Sequence, residues 1–177
     1  MKRRKKMNKK GNMQDLFVVM AVLALLGFAM LFTGKVWNDI NDQLAPKINN
    51  TNTTSDTYIN SAFENTSTLF NTTMDYVFLI VFIGLILGMI ITGFLLPTHP
   101  AIAMIFVLFI IIAVVIAVPI SNAFQDASAD DRLDAQSDRL PMTSHILNNL
   151  PLYTAIIGIL LLVVMYSRSR LGGGGLV

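Results

Sequence analysis

The chain has 177 residues, of which 54% are hydrophobic and 14% charged, and its mean hydropathy of +0.61 is that of a membrane protein rather than of a soluble domain. The sequence contains no cysteine, which excludes disulfides, thiolate metal sites and cysteine nucleophiles. The formal net charge is only +2, but the charges are distributed unevenly, with a strongly basic start followed by two acidic segments.

The first predicted element is a basic head at residues 1–15, where seven basic side chains and one acid give a net charge of +6. The basic residues are Lys2, Arg3, Arg4, Lys5, Lys6, Lys9 and Lys10. Such a cluster beside a first span sets the topology and contacts anionic lipid headgroups, or else an acidic protein surface. Nucleic acid is not an expected partner, because the head has no aromatic residue and no nucleic-acid-binding motif.

Four uncharged apolar runs follow, at residues 16–33, 77–96, 101–119 and 152–166. A membrane-spanning helix needs about 20 residues, and the first three runs come close to that length. The fourth has only 15 residues. Its helix is therefore expected to begin earlier, near Ile146 with Pro151 in the first turns, or else with Pro151 as the first helical residue of a shorter span.

The charge distribution predicts the topology of these spans. Basic residues concentrate on the cytoplasmic side, so the N-terminus lies inside, and four crossings return the C-terminus to the same side. Arg168 and Arg170, which follow the last span, agree with this orientation. The two segments that must then lie outside, residues 35–75 and 120–151, each carry a net charge of −3. The predicted fold is therefore an all-α, four-transmembrane-helix bundle with both termini cytoplasmic.

Helical spacing of apolar residues continues beyond the membrane-length runs. The residues concerned are Val36, Trp37, Ile40 and Leu44 after the first span, and Ile59, Ala62, Phe63, Leu69, Phe70 and Met74 before the second. Helices 1 and 2 are therefore predicted to project roughly 15 to 25 Å beyond the bilayer and to pack as a hairpin. The predicted organisation is a basic head at 1–15, helices 1 and 2 with an Asn/Thr-rich external hairpin at 16–97, helices 3 and 4 with an acidic external loop at 98–166, and a flexible Gly-rich tail at 167–177.

A helix-packing motif lies in the second span. Gly84, Gly88 and Thr92 form a small-xxx-small ladder, which lets another helix approach closely. That helix belongs either to another chain in an oligomer or to the same bundle, for instance at Ala113 and Ala117 of the third span. The sequence leaves both alternatives open.

Four N-x-S/T sequons lie on the segment predicted to be outside, where glycosylation is topologically allowed. Their asparagines are Asn49, Asn52, Asn65 and Asn71. The segment is rich in Asn, Ser and Thr, so composition alone produces some of these sequons.

Catalytic signals are nearly absent. The four apolar runs contain no Asp, Glu, Lys, Arg or His, which proton relays and ion pathways ordinarily need at membrane depth. His99 lies in a short turn and His145 near the start of the fourth helix, without metal-ligand spacing around either. We therefore expect no enzyme activity, no metal site and no cofactor.

The stretch "KKGNMQDLFVVM" at residues 9–20 resembles the class III signal of prepilins, in which a membrane peptidase cuts after the glycine. In this chain the cut would follow Gly11. The acid here is Asp15, the fourth residue after Gly11, whereas the bacterial pattern has Glu at the fifth position. We expect a permanent basic anchor, and the prepilin-like start implies as an alternative a membrane subunit of a pilus or secretion machine.

From "LPTHPAIAM" through "ISNAF" to "NNLPLYTAIIGILLLVVMYSRSR", the chain resembles small polytopic membrane proteins of tailless, membrane-containing icosahedral viruses of prokaryotes, including archaea. The resemblance is one of general style and transfers no residue roles. It implies a structural or assembly protein of a virion internal membrane, with the basic head facing an acidic capsid protein or anionic lipid. The same size and charge pattern also resembles holins, which permeabilise the host cytoplasmic membrane, and an oligomeric state is expected in either case.

Overall fold

The computed structural model describes residues 14–48, 55–95 and 100–172, and this part of the chain contains helices and no strand. The helices are α1 (Gln14–Ile48), α2 (Ser55–Leu95), α3 (Pro100–Ser128), α4 (Asp134–Ser137), α5 (Pro141–Asn148) and α6 (Leu150–Gly172). The all-α prediction is confirmed. The basic head lies outside the described residues.

Four of these helices are long and apolar enough to cross a membrane. The stretches are Leu16–Leu44, Ser61–Ile91, Met104–Ser128 and Leu150–Ser167. Each contains one of the four apolar runs in whole or in large part. They indicate an integral membrane protein with four candidate spans, because an apolar surface of this extent is stable only where lipid or another apolar surface covers it.

The long helices pack as two antiparallel pairs. In the first pair the Trp37 ring of α1 stacks on Phe70 of α2, with ring centroids 5.0 Å apart. In the second, α6 approaches α3 where Gly158 has no side chain, since a Cβ added there would lie 2.7 Å from Ile110 Cγ2. The two pairs are joined by an edge-to-face contact between Phe28 of α1 and Phe124 of α3.

The buried core runs along the inward faces of all four long helices. Fully buried side chains include Leu31 of α1, Phe78 of α2, Ala113 and Ala117 of α3, and Leu147 of α5. The opposite faces carry exposed Leu, Ile and Val, which is the pattern of a bundle whose outer surface contacts lipid.

The fourth predicted span begins as two helices rather than one. The chain is already helical at Ile146, as expected, but α5 ends at Asn148 and α6 begins at Leu150, with Pro151 in its first turn. Pro151 accounts for the break, because proline lacks the backbone N–H that would continue the helical hydrogen bonds of α5. Each alternative for Pro151 is therefore partly right. The chain is helical before Pro151, as the first predicted, and a separate helix begins next to Pro151, as the second predicted.

α6 extends further than the sequence predicted, and α3 continues through a proline. α6 continues to Gly172, so the first residues of the predicted flexible tail are helical. Arg168, Ser169, Arg170 and Leu171 tolerate a helix, and the run of glycines begins only at Gly172. α3 passes through Pro119, whose ring is exposed, and remains helical to Ser128.

Candidate functional site

A layer of mostly buried polar side chains lies where the C-terminal part of α1 and the N-terminal half of α2 meet α4 and α5. It contains Asn38 of α1; Ser67, Asn71 and Asp75 of α2; Gln136 of α4; and Thr143 of α5. We call this set the polar layer. It follows the apolar run of α1 and precedes that of α2, so it lies at one end of the apolar core.

Three amide side chains form a closed ring at the centre of the polar layer. Asn38 Nδ2 donates to Gln136 Oε1, Gln136 Nε2 donates to Asn71 Oδ1 at 3.0 Å, and Asn71 Nδ2 donates to Asn38 Oδ1 at 3.4 Å. The Ser67 hydroxyl adds a second donor to Asn38 Oδ1, at 2.6 Å. One ring thus joins α1, α2 and α4, which are separated by as many as 98 residues in the chain.

The ring depends on Gly34 of α1. A Cβ at this position would overlap the side-chain amide of Gln136. Gln136 is itself only 2% exposed, so its amide could not leave the layer without losing the bonds to Asn38 and Asn71. Gly34 therefore provides the space in which α4 approaches α1.

Asp75 caps the N-terminus of α5 from a neighbouring helix. Its Oδ1 accepts hydrogen bonds from the Thr143 backbone N–H at 2.7 Å and the Thr143 hydroxyl at 2.8 Å, and its Oδ2 accepts from the Met142 N–H at 3.0 Å. Leu140, the residue before α5, provides no side-chain cap. The carboxylate is 5% exposed and occupies the position where a helix N-terminus favours negative charge.

The break between α5 and α6 is stabilised from α3. The Asn148 carbonyl accepts hydrogen bonds from Ser121 Oγ at 2.6 Å and from Gln125 Nε2 at 3.1 Å. Neighbouring polar side chains commonly satisfy backbone groups released by proline in membrane helices. The bundle therefore stabilises the break through specific hydrogen bonds from α3.

Among the described side chains, three buried polar atoms have no hydrogen-bond partner: Trp37 Nε1, Asn41 Nδ2 and Asn148 Oδ1. The first two lie one turn apart on α1, close to the polar layer. Within the described residues, no group of three or more His, Asp or Glu side chains could hold a metal ion. The groups of the polar layer bond mainly to one another. The layer therefore holds α4 and α5 in place against α1 and α2.

The residues predicted from sequence are not brought together into one site. Lys2, Arg3, Arg4, Lys5, Lys6, Lys9, Lys10, Asn49 and Asn52 lie outside the described residues, as does the side chain of Thr92. Asn65 is exposed on α2, whereas Asn71 is 3% exposed and belongs to the amide ring. The expectation that Asn71 accepts a glycan does not fit this packing, because the Nδ2 that would carry the sugar is engaged inside the bundle.

Gly84 and Gly88 face away from the bundle. Both are exposed, and a Cβ at either would meet no heavy atom within 4 Å. The alternative in which they pack against Ala113 and Ala117 is wrong, because the bulky residues Phe78, Phe82 and Met89 occupy the inward face of α2.

Sequence reasoning missed the polar layer. A signal was present on α2, where Ser67, Asn71 and Asp75 recur at every fourth position on the face that also carries Phe78 and Phe82. A polar stripe in line with an apolar one indicates buried polar groups. For Gln136 there was no comparable signal, because it lies in a short, highly charged segment.

The fold and the polar layer define a class, that of polytopic all-α membrane proteins with a hydrogen-bonded polar layer at one end of the apolar core. Beyond the class, no protein-family model, no curated protein and no solved structure matches this chain.

Proposed function

We propose that this protein is a structural and assembly component of a virion membrane, anchored by four helices and linking the lipid bilayer to the capsid. One observation carries the proposal: the polar layer joins α1, α2, α4 and α5 into a single outer module that continues directly from the apolar bundle. A module held by the amide ring and by the Asp75 cap on α5 keeps a fixed shape, as an assembly component requires. In this proposal the link to the capsid is made by the basic head, on the opposite side of the membrane.

The proposed topology places the outer module outside the cytoplasm and the basic head inside. α1 and α2 contain 35 and 41 residues, so at the helical rise they extend about 52 Å and about 62 Å. A hydrocarbon core of about 30 Å leaves about 20 to 30 Å of each helix beyond it. In a virion the module faces the enclosed genome, while Lys2 to Lys10 contact anionic lipid or the acidic surface of a capsid protein.

The experiment that tests this role is fractionation of intact particles. The protein is expected to sediment with capsid protein and packaged genome at constant stoichiometry and to remain in the particle after washing in high salt. A matched variant with the seven basic residues of the head changed to Gln should still insert in membranes, yet be recovered in particles much less efficiently. Absence of the wild-type protein from purified particles would overturn the proposal.

A holin-like function is the second candidate, and the exposed faces of the uncharged helices favour it because they are available for oligomerisation. Induced expression in a heterologous host, followed with a membrane-potential dye, separates the two roles. A structural protein leaves the potential intact, whereas a holin depolarises the cells and arrests growth. A product that begins at Asn12 in an intact-mass measurement would instead support the pilus-type alternative.

A further inference from the structure

The α1 and α6 helices run antiparallel, and a side-chain contact fixes the level of one against the other. The Thr154 hydroxyl of α6 lies 3.3 Å from the sulfur of Met20 of α1. Leu16 is four positions before Met20, so it is level with Gly158, four positions after Thr154. The apolar run of α6 continues to Tyr166, about 12 Å further toward the end of the bundle at which α1 begins. We call that end the inner end.

α3 also extends past Leu16 at the inner end. Phe17, the residue after Leu16, meets Phe109 of α3 edge to face, with ring centroids 6.0 Å apart. α3 runs parallel to α1, and its apolar run begins at Ala101, eight positions before Phe109. The run of α3 therefore starts about 10 Å closer to the inner end than Leu16 does.

α2 gives the same result from a third contact. A Cβ at Gly27 of α1 would lie 3.6 Å from Phe78 Cε2 of α2. Leu16 is eleven positions before Gly27, and the matching position of the antiparallel α2 is Met89. α2 remains helical to Leu95, about 9 Å beyond that level. Three helices thus continue toward the inner end past the point where the apolar run of α1 begins.

The extensions of α3 and α6 carry apolar side chains on their outer surface. The exposed residues are Met104 and Ile105 of α3 and Val163 and Tyr166 of α6. Met104 is 81% exposed, so most of its side chain is available to lipid. An apolar surface of this kind is stable in hydrocarbon, so lipid chains are expected to reach this level beside α3 and α6.

The start of α1 is polar at the level of these extensions. The helix begins with Gln14 and Asp15, and the residues before it include Lys9 and Lys10. Charged residues are costly in the hydrocarbon core of a membrane. A flat leaflet that covered α6 as far as Tyr166 would place Asp15 about 10 Å below the headgroups. One level of the bilayer therefore does not suit all four helices.

We infer that the lipid leaflet at the inner end is stepped around the bundle. Its headgroups contact α1 near Leu16 and α6 near Ser167, so they reach about 12 Å further along the bundle beside α1. The start of α1 is thus an interaction surface, and its partner is the phospholipid headgroups of a locally thinned leaflet. Anionic phosphates at this position suit Lys9 and Lys10, which precede α1 by a few positions. The inference rests on the four membrane spans and not on the virion role.

A tilt of the whole bundle does not remove the step. The candidate span of α6, Leu150–Ser167, has 18 residues and extends about 27 Å. This length is already slightly less than a hydrocarbon core of about 30 Å. A tilt that brought Leu16 and Ser167 to one level would shorten the reach of α6 across the bilayer. Local thinning, which bilayers use to accommodate mismatched spans, leaves α6 embedded.

Spin-label depth measurements in vesicles of phosphatidylcholine and phosphatidylglycerol test the inference. The full chain has no cysteine of its own, so Val18→Cys, Ile156→Cys and Val163→Cys each carry one nitroxide label. All three side chains are exposed, and thermal unfolding should match that of the unsubstituted protein. Val18 and Ile156 lie at the same level of the bundle, whereas Val163 lies near the inner end of α6. Collisions with oxygen and with a water-soluble nickel chelate give the depth of each label.

The stepped leaflet predicts that the Val18 label is shallow. Its depth should agree with that of Val163 to within about 4 Å, while Ile156 should lie about 10 Å deeper than Val163. A depth of Val18 closer to that of Ile156 than to that of Val163 would overturn the inference. On α3, the label of Ile111→Cys should lie about 10 Å deeper than that of Met104→Cys. Equal depths for these two labels would also overturn it, because the inner end of α3 would then not be embedded in lipid.

Discussion

At the scale of single residues, the structure depends on a few polar side chains in unusual positions. Asp75 is the clearest case, because one buried carboxylate accepts three hydrogen bonds from a helix that begins 66 positions later in the chain. Leaving buried donors unsatisfied costs more than the bonds themselves contribute. The stability of the outer module is therefore concentrated in residues that a hydropathy profile does not detect.

We predict that Asp75→Asn lowers the free energy of unfolding by about 1.5 to 3 kcal/mol, the range for hydrogen bonds to a charged group. The amide has a single acceptor oxygen, and its NH2 group would face an N–H donor of α5. Denaturant titration in detergent micelles measures the loss. The exposed Asp42 provides the control, because Asp42→Asn removes a carboxylate without breaking such a cap; an equal loss in both variants would contradict the prediction.

The two described sequons should behave differently in a host that glycosylates proteins. Asn65 is exposed, so we expect it to accept a glycan, whereas Asn71 is buried in the amide ring. Intact mass is the measurement: Asn65→Gln should remove one glycan mass, and Asn71→Gln should leave the mass of the attached sugar unchanged. A glycan on Asn71 of the folded protein would contradict the packing of the polar layer.

At the scale of elements, the break between α5 and α6 determines how the fourth span enters the bundle. α5 carries Leu147 into the space left by Gly27 of α1, where a Cβ would overlap the leucine side chain. The break at Asn149 then lets α6 follow α3, with the hydroxyl and amide of α3 on the Asn148 carbonyl. In an unbroken α-helix the Asn148 carbonyl would accept the backbone N–H four residues later, so the break leaves it available to Ser121 and Gln125.

We expect Ser121→Ala to destabilise the protein by about 1 kcal/mol, the usual net contribution of a neutral hydrogen bond. Ser121 is 3% exposed and donates to a carbonyl at the proline break. The measurement is again unfolding in micelles. Asn122→Ala, at the exposed neighbouring position, is the matched control and should change stability little; if the control were equally destabilised, the break would not be the cause.

At the scale of the whole molecule, the charge distribution and the fold are consistent with the same topology. The outer module lies at the end of the bundle opposite to the start of α1, so it should face the side away from the basic head. This arrangement places the basic head, with its net charge of +6, on one side of the membrane. The two acidic segments, each with a net charge of −3, lie toward the other side. Positively charged segments are retained on the cytoplasmic side during insertion.

Thiol labelling of intact cells with a membrane-impermeant maleimide measures that topology. A single cysteine in the acidic segment, Asp131→Cys, should react from outside. Lys5→Cys, in the basic head, should react only after the cells are permeabilised. Labelling of both, or of Lys5→Cys alone, in intact cells would contradict the proposed orientation.

The sequence by itself determined the helical class and the number of apolar spans, and it predicts the direction of those spans. These features depend on local composition, since about 20 apolar residues or a cluster of basic residues have the same meaning wherever they occur in a chain. Even the helicity beyond the spans was readable, because Ile40, Leu44, Phe63 and Phe70 keep helical spacing.

Only the tertiary structure decided which polar residues meet and which glycines are enclosed. Gly27, Gly34 and Gly158 lie at close contacts, while Gly84 and Gly88, which have the more recognisable spacing, face outward. The ring of Asn38, Asn71 and Gln136 joins positions as many as 98 residues apart. Local periodicity shows which face of a helix is apolar, but the partner of each face depends on how all the helices pack together.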